Sequence, residues 1–202
     1  MWIEASLDNM GVPDPQFVMK EKILELNDKF ELVLKECPEI VFIGDKVLRQ
    51  KTDEVSVSEG AEIGKRLQSV LAKYRKITGL GRGLAAPQIG ENKSVFITYV
   101  DNQFKTYINP KIIQKSSDCN LYKEACISCG FIWCDVKRAR SVKLEYQDEK
   151  GDKKTEELDS FCARLIQHEY DHLQGVVNID VALPKSIEFM LSDPLKEQLR
   201  DC

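Results

Sequence analysis

The 202-residue chain has two histidines, and both fall in the stretch His168-Glu169-Tyr170-Asp171-His172. On a helix of 3.6 residues per turn, positions i and i+4 point the same way. Two imidazoles so placed can grip one cation while Glu169 stands beside the open coordination position, which is the H-E-x-x-H pattern of metal-dependent hydrolases. The chemistry implied is attack of an activated water on an acyl carbon. A site of this kind takes a third protein ligand and keeps one position for water.

The sequence offers several sources for that third ligand. In a metzincin a third histidine would follow, and Gly175 fits that pattern, but Asn178 stands where the histidine belongs. A downstream glutamate is another source, with Glu188 the candidate, although Gly175 to Pro184 reads as extended and proline-broken rather than as a second helix. The cysteines remain. Seven occur, at positions 37, 119, 126, 129, 134, 162 and 202, an odd set with no signal peptide, which points to thiols in a reducing, cytoplasmic setting. Cys126 and Cys129 form a C-x-x-C. A zinc ribbon would need a second such pair and a redox pair a thioredoxin-like βαβ pattern, and neither is present.

The segment Gly79 to Gly90 is the other concentration of signal. Gly81-Arg-Gly-Leu-Ala-Ala86 fits a dinucleotide-binding G-x-G-x-x-A, with Asp101 following an apolar strand. Its context is wrong for that. Residues 62–75 before it are helix-periodic through Ile63, Leu67, Val70, Leu71 and Tyr74, and Pro87 and Gly90 forbid a long helix after it. The glycines instead let backbone approach a ligand closely.

Three separated segments together resemble the peptide deformylase family. Gly81-Arg-Gly-Leu-Ala-Ala-Pro-Gln88 is similar to its G-x-G-L-A-A-x-Q, Gln167-His-Glu-Tyr-Asp-His-Leu173 to its Q-H-E-x-D-H-L, and Glu124-Ala-Cys-Ile-Ser128 to its E-G-C-L-S. Asp45 to Gln50 is similar to the D-P-x-L-R opening, and motif order agrees from about residue 40 to residue 184. The resemblance implies that Cys126 is the third metal ligand beside His168 and His172. The implied cofactor is one divalent metal ion per chain, ferrous iron in vivo, with zinc, nickel or cobalt also suited to such donors. Glu169 would take the proton of the attacking water and pass it to the departing amine. The Gln88 amide and the Ile127 backbone N–H would form the oxyanion hole. Gly81, Gly83, Ala125 and Trp133 would border the substrate, the glycines pairing with its backbone like an added strand. Arg138 falls where the family's arginine pairs with the glutamate of the cysteine motif, here Glu124.

The activity so implied is removal of the N-formyl group from N-formylmethionyl nascent polypeptides, with that peptide as partner and transient ribosome contact. The alternatives are a related deacylase with another acyl-peptide substrate and a non-catalytic metal-binding interaction protein. The departures from the family bear on substrate preference. Ala125 replaces a glycine, Cys129-Gly130 stands where the family shows an apolar residue and proline, making the turn looser, and Trp133 occupies the place of a substrate-facing arginine.

The elements that must position these residues are partly legible. Phe161, Leu165, Ile166 and Leu173 form an apolar stripe around the two histidines, with Asp159 or Ser160 to cap the helix and Gly175 to stop it. Val95–Val100, Thr106–Ile108 and Ser141–Tyr146 read as strands, with a hairpin turn at Gln147–Asp152. Strands followed by one buried helix predict an α+β fold, and the resemblance implies antiparallel sheets packed around a central helix carrying H-E-x-x-H. The expected organisation is an extension over residues 1–37, a catalytic domain over 38–184 and a tail over 185–202. Met1 to Gln16 is turn-rich, Phe17 to Leu34 reads as an amphipathic helix, and Pro184 to Cys202 as a helix interrupted at Pro194. The first 37 residues lack arginine and carry many carboxylates, unlike a transit peptide. They are expected to form a docked helix or an oligomer contact, the oligomeric state itself being open. A net charge of −4, 43% hydrophobic and 31% charged residues describe a soluble chain with no call for DNA or an anionic membrane as partner. No apolar run approaches the ~18 residues of a spanning helix.

Overall fold

Val95, Phe96 and Ile97 are all fully buried, because the strand they occupy is covered on both faces. Alternate side chains of a strand point to opposite sides. Val95 and Ile97 join one apolar cluster, with Leu67 and Leu71, and Phe96 joins another, with Leu144, Ile166 and Leu173. The protein is represented by a computed structural model that describes residues 15–190. Among these, the chain forms α1 (Pro15–Glu36), α2 (Val57–Thr78), β1 (Gly83–Ala85), β2 (Val95–Val100), β3 (Gln103–Lys115), β4 (Cys119–Ala125), β5 (Ile132–Ala139), β6 (Ser141–Gln147), β7 (Lys153–Asp159), α3 (Ser160–Leu173) and β8 (Glu188–Phe189). The sheets are antiparallel: one has the order β1-β2-β3-β6-β7, the other β4-β5-β8. This mixture of helices and antiparallel sheets agrees with the expected α+β class. Helix α3 touches β1, β2, β6 and β7 of the first sheet and β5 of the second.

Helix α2 begins at Val57, five residues before the periodic stretch 62–75 that the sequence shows. The Ser56 hydroxyl accepts the Glu59 N–H at 3.3 Å, and Gly79 ends the helix by donating to Arg75 O at 2.8 Å. β3 likewise runs past the expected Thr106–Ile108. Pro110 lies inside it, at a register shift between Ile108 and Lys111 where the missing N–H interrupts no ladder bond. The β6–β7 turn is closed by Asp148, whose side chain accepts the N–H groups of Lys150 and Asp152 at 2.9 and 3.0 Å.

The N-terminal helix docks on the body. Phe30 meets Phe42 and Phe131 edge-on, with centroids 5.2 and 6.0 Å away, and Val33 is buried. Leu24, Leu32 and Leu34 stay exposed on the other side. Most of the turn-rich start, before Pro15, lies outside the described residues. At the other end the expected helix from Pro184 does not begin there: Glu188 and Phe189 pair with Trp133 and Ile132, and Met190 N–H donates to Phe131 O at 2.8 Å. Sheet pairing satisfies this backbone in extended form. The part of that helix after Met190, including the break at Pro194, lies outside the described residues.

Candidate metal centre and active site

One helical turn of α3 presents His168 and His172, and the end of β4 brings Cys126 to meet them. The ligand atoms of these three residues all lie within 4.8 Å of one another, and Cys126 Sγ is 3.3 Å from His172 Nε2. All three are buried. Burial pushes the Cys126 thiol up and, helped by the neighbouring His168, holds His172 well below the ordinary imidazole range. A neutral imidazole is what a cation requires. The third-ligand alternatives fall away on geometry. Glu188 is exposed and bonded to Lys123 and Trp133, while Asn178 is buried but donates to Glu124 O at 3.0 Å and accepts the Cys129 thiol at 3.2 Å.

Glu124 is the hub behind the histidines. Its carboxylate receives Arg138 through Nε at 2.6 Å and Nη2 at 2.9 Å, receives Arg164, and contacts His168 Nδ1 at 3.0 Å. Burial alone would raise this carboxyl, but the His168 hydrogen bond and the Arg138 charge outweigh it and hold the group well below the usual carboxylate range. The Glu124–His168 contact fixes the ring through Nδ1, so that Nε2 is the nitrogen left for a cation. Arg138 also donates to Asp171 at 2.7 Å. The expected Glu124–Arg138 pair is therefore present. Sequence reasoning missed Arg164, although it lies four residues before His168 and so on the same helix face. It also missed Asn178 as a strut beneath the cysteine turn.

A soft thiolate and two imidazoles, one oriented by a carboxylate, fit a divalent transition metal. Around them lies a cavity of about 130 Å³ lined by Gly81, Gly83, Gln88, Ala125, Ile127 and Glu169 among others. Burial raises the Glu169 carboxyl to about 7, and its Oε2 is buried with no hydrogen-bond partner among the described residues. Such an orphan acceptor is costly unless a ligand or water completes it. A Cβ on Gly83 would stand 2.3 Å from Glu169 Oε1, so only glycine lets β1 pass so close to the carboxylate. Gln88 is fixed through Oε1, which accepts Ala85 N–H at 2.8 Å, and its Nε2 faces Ser128 Oγ at 3.2 Å and Cys126 Sγ at 3.6 Å. The segment after α1 pins both loops, with Val41 N–H donating to Gln88 O and Ile43 N–H to Ser128 O.

The sequence profile of the polypeptide deformylase family matches residues 37–187. The chain belongs to the peptide deformylase family. A peptide deformylase of Pseudothermotoga lettingae is 36% identical over 161 residues, covering 80% of this chain and 91% of the relative. One from Treponema pallidum is 36% identical over 144 residues, 70% of this chain and 86% of the relative. The crystal structure of peptide deformylase from Thermotoga maritima superposes with a TM-score of 0.65 at 34% identity, covering 72% of this chain and 97% of that one. The family is one of metal-dependent hydrolases that act on formylated nascent peptides.

Two expectations about this deformylase's substrate groove need correction. Trp133 does not line the cavity: it is buried in an apolar cluster with Phe131 and Met190, and its Nε1 donates to Glu188 at 3.2 Å. It stands opposite Ala125 in the β4–β5 register, and Ala125 packs against the same cluster. The turn at Gly130 is not loose either. Gly130 takes φ +67°, donates its N–H to Ile127 O at 3.1 Å, and has the Phe30 ring 3.5 Å from where a Cβ would sit. Ala125 lines the cavity as expected.

Proposed function

We propose that this protein removes the formyl group from N-formylmethionine at the start of newly made polypeptides, as a metal-dependent amidohydrolase. The observation that carries the reading is the Glu169 carboxylate oxygen, without a hydrogen-bond partner among the described residues and buried beside the Cys126, His168 and His172 cluster in a cavity that Gly83 and Gln88 border. In this proposal Cys126, His168 and His172 hold one divalent metal, with ferrous iron in vivo and zinc, nickel or cobalt as substitutes. When bound, the metal supplies a Lewis acid for the formyl oxygen and lowers the pKa of an attacking water. Glu169 Oε2 takes the water's proton and delivers it to the methionine nitrogen as the C–N bond breaks, releasing formate and a free amine. The Gln88 Nε2 amide and the Ile127 N–H stabilise the oxygen that gains charge; one such donor is typically worth about 3 kcal/mol. Gly81 and Gly83 offer backbone to the peptide along the edge of β1, and Ala125 borders it. Glu124 and Arg138 hold His168 in place.

The proposed organisation is a catalytic domain over residues 38–184, close to the family match, with α3 as its central helix, an extension over 1–37 that includes the docked α1, and a tail over 185–202. The setting proposed is the cytoplasm. Among the described residues no helix is long and apolar enough to cross a membrane, and the six described cysteines are free thiols. The decisive experiment is release of formate, measured under anaerobic conditions with iron-loaded protein, from formyl-Met-Ala-Ser beside acetyl-Met-Ala-Ser. Formate release with the acetyl peptide left intact is expected. Absence of formate from the iron, nickel and zinc forms alike would overturn the proposal.

A further inference from the structure

The mouth of the cavity carries charge that the reaction does not use. Arg82 lines the cavity one residue before β1, and Arg75 stands in the last turn of α2. Both guanidinium groups converge on one neutral acceptor: Nη1 of Arg75 donates to Gly81 O at 2.5 Å and Nη1 of Arg82 reaches the same oxygen at 3.4 Å. Arg75 also lies 4.1 Å over the Tyr99 ring. Among the described residues neither arginine has a carboxylate partner, in contrast to Arg138 and Arg164, which pair with Glu124 and, for Arg138, with Asp171 as well. Burial and the like charge of Arg82 both disfavour the Arg75 cation. Each guanidinium has five N–H donors in a planar fork, so most of the donors here are unspent. In a chain of net charge −4, Arg82 on the cavity wall with Arg75 beside it, neither paired with a carboxylate among the described residues, gives a local positive potential that favours an anion.

Its position says which part of a ligand would meet it. Gly83 lies against Glu169, so the reacting bond belongs at that end of β1. β1 is the edge strand of its sheet. Beyond Gly83 the strand runs into the fully buried Leu84 and Ala85, so a peptide paired at this end leads away from Glu169 in the other direction, along the cavity wall past Arg82. We propose that Arg82, with Arg75 behind it, is a specificity-determining site that favours substrates carrying aspartate or glutamate in the residues just after the formylated methionine. This rests on the deformylase reading and adds to it a substrate class.

The test compares formyl-Met-Asp-Asp-amide, formyl-Met-Ala-Ala-amide and formyl-Met-Lys-Lys-amide, with the C-terminus blocked so that side-chain charge alone varies. With the metal-loaded protein at low salt, kcat/KM for the Asp peptide should exceed that for the Lys peptide by about fivefold or more, carried by KM, the worth of one or two partly exposed charge pairs. The ratio should fall toward unity at 1 M salt, where the screening length is only ~3 Å. Arg82→Glu should reverse the order of the charged peptides, and Arg82→Lys should keep it. Equal kcat/KM for all three peptides, or an unchanged order in Arg82→Glu, would overturn the inference. If the Ala peptide itself is not cleaved, it is the reaction that has been misread. Calorimetric binding of unformylated Met-Asp-Asp-amide against Met-Lys-Lys-amide then decides the anion site alone, tighter binding of the first upholding it and equal binding ending it.

Discussion

Glu169 has one oxygen without a hydrogen-bond partner among the described residues and a glycine pressed against the other. That makes Gly83 a sensitive position although it carries no chemistry. A methyl at 83 must displace the carboxylate, and an ~1 Å misplacement of a reacting group can cost ~10²-fold in rate. Gly83→Ala should therefore lower kcat about 10²-fold with metal content intact, and Glu169→Ala should lose the ~10²- to 10⁴-fold that proton transfer typically contributes. Metal analysis beside formate release checks both, and near-normal kcat in either variant would remove the carboxylate from the mechanism. Glu124→Gln acts differently. It leaves Arg138 and Arg164 buried against a neutral amide, and breaking a buried ion pair commonly costs ~3–5 kcal/mol. Urea unfolding should show that loss, together with metal affinity weakened by ~10- to 100-fold through the loosened His168 ring. A stability within 1 kcal/mol of wild type, on the scale of ordinary surface changes, would deny Glu124 its role as hub.

At the scale of elements, the extension α1 is a structural part of the catalytic wall. Phe30 touches the turn at Gly130, and Leu26 packs with the Phe131, Trp133 and Met190 cluster. Phe30→Ala should cost about 1–3 kcal/mol, less than the ~3–5 of a fully buried phenylalanine, while Leu24→Ala on the exposed side should change little. Equal effects of the two on the unfolding midpoint would mean that α1 is not docked through Phe30. Gly130→Pro, which a family-like turn would favour, should instead destabilise by at least about 1 kcal/mol. Proline fixes φ near −65° and has no N–H, whereas this turn uses φ +67° and the Gly130 N–H. A stabilised or unchanged Gly130→Pro protein would show that the turn adopts another conformation.

At the scale of the molecule, the proposed metal joins parts that the chain brings together from far apart. Cys126 follows β4 of the three-stranded sheet, and the histidines ride on α3, packed mainly against the five-stranded one. A ligand present at a thousandfold over its Kd stabilises by about 4 kcal/mol. Chelation should accordingly lower Tm by about 10 °C, since each kcal/mol shifts a chain of this size ~2–4 °C. Cys126→Ser should abolish the difference, and Cys129→Ser, whose thiol serves Asn178, should keep it. A Tm indifferent to chelation would place the cation outside this joint.

The sequence by itself determined the chemistry of one turn and the helix that bears it. Spacing of i and i+4 is a local property, so His168, Glu169 and His172 could be read without a fold, as could β2 from its short run of β-branched and aromatic residues and most of α2 from its periodicity. The third ligand could not be read that way. Composition and spacing left the cysteines as a group, with Glu188 as an alternative and Asn178 a poor one, and the motif resemblance, not periodicity, singled out Cys126. The β4–β5 hairpin was equally hidden, because β4 is largely exposed and polar and gives little alternation to detect. Only tertiary structure showed that Arg164 shares Glu124 with Arg138, that Trp133 packs away from the cavity, and that Arg75 and Arg82 meet at Gly81. Each of these depends on which way a side chain leaves its strand or helix and on what distant segment it then meets, and a pattern along the chain carries no information about that second partner.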